Sequence, residues 1–236
     1  MRIGVLFKTA LFAGFLAAVV CSVVQAISVV PLILEAEKFE VADTGASHHG
    51  AAATQAANSE ATAHHDDDVW APADGLERTL YTFFANLVAG IGFGLLLAAA
   101  IAVSRQQIDG PRGLLWGLAG FSVFHLAPAL GLPPELPGSL AADLELRQVW
   151  WAATVAATAV GLVLIVFMPQ VALKIVGLAI LLIPHIVGAP HPDGGAGAAP
   201  PELAAKFAVL SLAVSAAFWL VLGWSSGVFY RRFSAA

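Results

Sequence analysis

The sequence predicts an all-α integral membrane protein, a bundle of five to six transmembrane helices with six preferred and both termini cytoplasmic. Three observations carry that expectation. The 236-residue chain is 59% hydrophobic and 11% charged, with a mean hydropathy of +0.83, far outside the composition of soluble domains. Six apolar stretches approach or reach the roughly 20 residues that a spanning helix needs. Lys and Arg also segregate to alternate loops, as the positive-inside rule requires.

The first stretch, Leu11 to Leu34, follows Arg2 and Lys8. A cleaved signal peptide is one reading, with Val24-Gln25-Ala26 as a small-x-small site. The apolar run continues past that site through Val29, Val30, Leu32 and Leu34, which favours a retained anchor over residues 1–34. Residues 35–78 follow as an Ala/His/Asp-rich outer loop, too poor in branched apolar side chains to bury a core and so expected to be largely disordered without a ligand. Residues 79–236 hold about five further helices: Leu80 to Val103, Gly113 to Leu130, Val149 to Met168, Val171 to Val187 and Phe207 to Tyr230. The third and fifth of the six stretches are short and end in prolines, so a broken or re-entrant segment, and with it a count of five spans, is the alternative.

With the N-terminus inside, cytoplasmic segments carry Arg2, Lys8, Arg105, Arg112, Lys174, Arg231 and Arg232 against the single acid Asp109. The opposite side carries Lys38, Arg78, Arg147 and Lys206 with the other carboxylates. Six spans satisfy the charge rule at every loop; five would break it at one.

Within the spans, Gly90-x-x-x-Gly94 and Gly113-x-x-x-Gly117 are expected to let backbones approach closely. Asn86, Thr154 with Thr158, and Ser211 with Ser215 are expected to hydrogen-bond between helices. Trp116, Trp150, Trp151, Trp219 and Trp224 are expected to form an aromatic belt near the span ends. Two tetrads, Pro133-Pro134-Glu135-Leu136 and Pro200-Pro201-Glu202-Leu203, each follow a His-bearing apolar stretch. They read as twice-used helix-start chemistry, with Pro in the first turn and an acid complementing the dipole; duplication of a two-helix unit is the alternative.

The chemistry that stands out is metal capture. His48 and His49, then His64, His65, Asp66, Asp67 and Asp68, place four imidazoles and three carboxylates in one segment. A mixed N/O set suits borderline divalent metals, Co²⁺ or Ni²⁺ among them. Its ligands must be deprotonated, so binding weakens as pH falls through the His range near ~6.5. A solvated loop whose histidines hold nothing is the plainer reading. A second, deeper set comprises His125, His185 and His191, with Glu135 as acidic neighbour, because all fall in or just above the outer half of the bilayer, where ionisable groups are functional candidates. Pro184 is expected to interrupt the helix beside His185 and free backbone carbonyls. Hydrogen bonding to neighbouring helices is the competing role for this set. All seven histidines fall on the outer side, which points to a ligand approaching from there.

Other chemistries find no footing. The single Cys21 excludes disulfides and thiolate clusters. The net charge of −5 argues against nucleic acid. Neither a phosphate loop nor a Ser-hydrolase or zinc-protease motif is present, so no enzyme activity and no tightly bound cofactor are expected. The expected partners are the lipid bilayer and a divalent ion. A haem protein using the intramembrane histidines is a weaker alternative, for no His pair clearly faces another across two helices.

Five segments together resemble the CbtA family of predicted bacterial cobalt transporter subunits: Ala36-Glu37-Lys38-Phe39-Glu40, Trp70 to Thr79, Ala127 to Gly138, Arg147-Gln148-Val149-Trp150-Trp151, and Pro184 to Pro190. The proline run and the Arg-Gln-x-Trp-Trp element are the more specific. The resemblance implies a multi-pass inner-membrane component of Co²⁺ uptake tied to cobalamin supply, working beside a small one-span histidine-containing companion, with no ATPase domain of its own. It also implies five spans, against the six that the charge pattern prefers. A scaffold or metal-delivery subunit for another permease is the alternative function.

Overall fold

The computed structural model describes residues 3–49, 72–73, 75–192, 194, 197 and 199–235, the side chains of 40–49 excepted. Every element among them is helical: α1 (Ile3–Ser28), α2 (Val30–His49), α3 (Leu76–Ser104), α4 (Gly110–Phe121), a π turn (Ser122–Leu126), α5 (Ala127–Ala129), α6 (Leu144–Phe167), α7 (Val171–Val187) and α8 (Pro201–Ser234). α1, α3, α6 and α8 are long and apolar enough to cross a membrane, and α7 is a shorter apolar helix. α4, the π turn and α5, of 12, 5 and 3 residues, run end to end as one rod about 30 Å long. Five of the six expected apolar stretches thus fall each within one helical rod, and the first is divided between α1 and α2.

Two expectations at the N-terminal side need correcting. The first apolar run is not one helix but bends at Val29, because Pro31 has no N–H to give Ile27 and its ring crowds that carbonyl. The helix then resumes through Glu35–His49, where an unstructured loop was expected to begin; the remainder of that loop through Ala71 lies outside the described residues. Gly14 faces Gly90 and Ala10 faces Gly94 in an antiparallel register, which a straight helix would extend to set Arg78 opposite Ala26. Ala26 and Arg78 do line one cavity, and the Arg78 guanidinium reaches on to Glu37 at 3.0 Å, tying the start of α3 to α2.

Glycine sets the helix pairing, as the two small-residue motifs predicted. A Cβ on Gly14 would lie 2.6 Å from the Gly90 carbonyl carbon, and one on Gly94 3.1 Å from Ala10 Cα. α4 meets α8 the same way, Gly113 and Gly117 against Gly223 and Gly227. A third pair, Gly161 of α6 against Gly177 of α7, closes to 2.7 Å between a built Cβ and the facing carbonyl oxygen. Without a hydrophobic drive between helices in lipid, such backbone proximity supplies the dispersion contact. The core runs along α1, α3 and α8 through Ala13, Ala17, Leu97, Ile101, Phe218, Trp219 and Leu222, while α7 packs on α6.

The polar intramembrane residues divide. Asn86 behaves as expected, its Nδ2 donating to Ser22 Oγ at 2.9 Å and Gln25 Oε1 at 2.7 Å across the α1–α3 seam. Thr154 and Ser215 instead donate within their own helices, to the carbonyls of Trp150 and Ser211, because an i−4 carbonyl is always in reach of a hydroxyl. The aromatic belt is also corrected: Trp219 is 1% exposed and Trp150 8%, both in the core, whereas Trp224 and Trp151 face outward. Asn86→Leu removes both cross-seam bonds and leaves Gln25 Oε1 without that donor. It is expected to lower stability by about 1–2 kcal/mol, read as a fall in the detergent-solubilised melting temperature; an unchanged melting temperature would mean the seam rests on glycine packing alone.

Candidate functional site

The two proline tetrads prove to be used differently. Pro201 and Glu202 open α8 with Pro200 at the N-cap, as helix-start chemistry predicts. Pro133–Leu136 opens no helix; α6 starts eight residues later, where Asp143 caps it by accepting from the Leu146 N–H at 3.1 Å. The first tetrad lies in chain without regular structure, and its Pro133, Pro134 and Glu135 wall a cavity of about 500 Å³.

That cavity lies where α6 approaches the α3–α4–α8 body, at the end the charge pattern assigns to the outside. Phe93, Phe124 and Leu212 form its apolar side, and His125, Glu135, Arg147, Gln148 and Ser215 its polar side. His125 reaches it because of the π turn. Pro128 cannot donate to the Phe124 carbonyl and its ring would crowd it; the widened turn shifts the ladder, with the Ala127 N–H bonding Ser122 five residues back. Such π turns recur at functional positions.

The two candidate ligands are each held by a partner from the chain. His125 Nδ1 accepts from Trp219 Nε1 at 3.0 Å. A neutral imidazole that accepts at Nδ1 carries its proton on Nε2, so the ring as placed offers no free lone pair. Trp219 is fixed in turn: its indole lies over Gly120, where any Cβ would overlap the ring, stacks on Phe124 at 5.7 Å with 4° between planes, and meets Phe93 at 5.0 Å. Glu135 Oε2 accepts from Arg147 at 2.7 Å, the two side chains about 30% and 27% exposed.

The structure therefore brings His125 and Glu135 to one cavity and leaves His185 and His191 apart from its lining. His185, half-buried on α7, sits edge-on to Trp150 at 6.0 Å. The helix continues through Pro184 to Val187, and the Pro184 carbonyl accepts from the Trp150 indole at 3.2 Å, so that carbonyl is engaged. His191 is exposed in the loop after α7. His48 and His49 fall in the last turn of α2, with side chains outside the description, and His64, His65, Asp66, Asp67 and Asp68 lie outside the described residues. Among the described residues no group of three or more His, Cys, Asp or Glu is placed to hold a metal ion. Arg147, Gln148 and Trp219 were missed as site residues. The Arg-Gln-x-Trp-Trp element was the available signal for the first two; nothing local marks Trp219, which joins only through the α4–α8 fold.

A second cavity of about 330 Å³ lies between α1–α2 and the start of α3, lined by Ser22, Val30, Leu34, Arg78 and Thr82 among others.

A family model described as "Probable cobalt transporter subunit (CbtA)" matches residues 4–231. No curated protein and no solved structure matches the chain.

Proposed function

The chain belongs to the CbtA family, and from that premise we propose that it is the multi-pass component of divalent metal uptake in the bacterial inner membrane, taking Co²⁺ and, less specifically, Ni²⁺ from the outer face. The observation that carries this reading is the outer-end cavity. It gathers an imidazole and a carboxylate, the two side-chain types suited to a borderline dication, beside the aromatic rings of Phe93, Phe124 and Trp151. His48, His49, His64 and His65 with Asp66 and Asp68 would concentrate the ion at the surface. Glu135 then supplies charge at the start of a path between helices, and His125 adds its nitrogen once the imidazole parts from Trp219, while His185 and His191 are reserve ligands outside the cavity. The metal is cargo, and no resident cofactor is invoked.

An inside-negative potential drives a dication inward by about 4.6 kcal/mol per 100 mV, at about 2.3 per charge, which is enough for accumulation without nucleotide hydrolysis. The cobalt so gathered would serve cobalamin supply, and a small one-span companion subunit is the expected partner. A non-transporting subunit that hands metal to another permease is the second reading, favoured by the lack of any described three-ligand site. Radiolabelled Co²⁺ uptake into proteoliposomes holding this chain alone, with and without an imposed inside-negative potential, separates the two. Potential-dependent accumulation is expected; bound metal without flux would assign the chain to metal delivery.

A further inference from the structure

We propose that the cavity rests in a self-capped state, with Arg147 holding the carboxylate of Glu135 as a stand-in cation that an incoming dication must displace. The inference rests on the reading of this cavity as the metal path and adds a control to it.

Both acceptor groups that a metal would use already receive an N–H from the chain itself. Glu135 Oε2 takes the Arg147 guanidinium at 2.7 Å, and His125 Nδ1 takes the Trp219 indole at 3.0 Å. The two caps differ in freedom. The Trp219 indole is 1% exposed and clamped between Gly120, Phe93 and Phe124, so it does not swing. Arg147 stands in the first turn of α6 at the cavity margin, 27% exposed, with a long side chain that can leave toward solvent. Its partner Glu135 has a shorter side chain and sits between Pro134 and the buried Leu136, so the carboxylate is the anchored half and the guanidinium the mobile one.

Charge decides the exchange. A carboxylate paired with a guanidinium presents little net field, so the empty cavity is close to neutral. A dication brings twice the charge to the same oxygen, and the freed guanidinium then repels a second cation from the mouth. The cap also keeps affinity moderate, which a transported ion requires if it is to leave again.

The test is equilibrium binding of radiolabelled Co²⁺ to the full-length protein in lipid nanodiscs. Arg147→Gln is expected to tighten binding about tenfold, since it removes both the competing cation and its repulsion. Arg147→Lys keeps the charge but loses the planar fork, and is expected to tighten binding only about twofold. The gain must vanish in the Arg147→Gln/Glu135→Gln double variant, which separates the cavity from the histidines of the outer segment. Unchanged or weaker binding in both single variants, with Glu135→Gln still weakening uptake, overturns the cap and leaves the metal path standing. If Glu135→Gln and His125→Ala alter neither binding nor uptake, the cavity reading fails and the cap with it.

Discussion

Gly117→Val is expected to yield little or no folded protein. A Cβ at this position would overlap the Trp219 carbonyl and lie 3.1 Å from Gly223 Cα. Both are backbone, so no rotamer change relieves the clash. Gly223 is equally closed, its own built Cβ falling 2.6 Å from Gly117 Cα, so the two helices cannot slide past one another. Relief requires α4 and α8 to separate along the stretch that also contains Gly113 and Gly227. Separation would strip dispersion contacts from Trp219 and Leu222, the centre of the core, and break the Trp219–His125 bond. Overpacking of side chains costs about 1–3 kcal/mol where neighbours can shift, and backbone against backbone exceeds that range. The check is monodisperse yield and melting temperature in detergent, with Gly92→Ala as control. Nothing lies within 4 Å of a Cβ at Gly92, so that change is expected to be neutral or to add up to about 1 kcal/mol from helix propensity. If Gly117→Val matched Gly92→Ala, glycine proximity would not be what joins these helices.

The same helix pair explains what was legible in the sequence and what was not. Span positions and small-residue motifs are local patterns: apolar length and a four-residue glycine spacing are written along one helix and need no partner to be recognised. Pro31 and Pro128 are equally local, yet their effects diverged. One bends the chain between α1 and α2, and the other is absorbed by a π turn, because the response to a missing N–H depends on whether the surroundings hold the helix straight. Which polar groups meet is a property of packing. Asn86 was correctly expected to bond across helices, whereas Thr154 and Ser215 turned to their own backbone. His125 and Glu135, ten residues apart, could be paired from sequence because a turn returns the chain. His185 could not be separated from them without knowing that α7 packs on α6 and that its imidazole meets Trp150. Trp219, 94 residues from His125, was assigned to the bilayer interface because its position near a span end outweighed anything a single helix could say about its partner.

That partner gives the sharpest test of the site. His125→Ala is expected to reduce Co²⁺ uptake at least about tenfold, in the range seen when a metal-site ligand or its support is lost, while His185→Ala reduces it less than about twofold. The sequence alone set the two histidines on a par; the structure distinguishes them, since only His125 lines the cavity with Glu135. Core damage is the competing cause of a loss in His125→Ala, because the imidazole also packs against Phe93, Phe121 and Trp219. Trp219→Phe resolves this. It keeps an aromatic ring against Phe93 and Phe124 but removes the indole N–H, so it breaks the same hydrogen bond while sparing the imidazole. With Nδ1 released, the ring can change tautomer and offer a lone pair without first giving up a partner, so Trp219→Phe is expected to bind Co²⁺ at least as tightly as the parent. Equal loss of uptake in Trp219→Phe and His125→Ala, with both folded, would make the hydrogen bond itself the functional element and His125 a structural histidine. Equal loss in His185→Ala and His125→Ala would place the path nearer α7 than the cavity does.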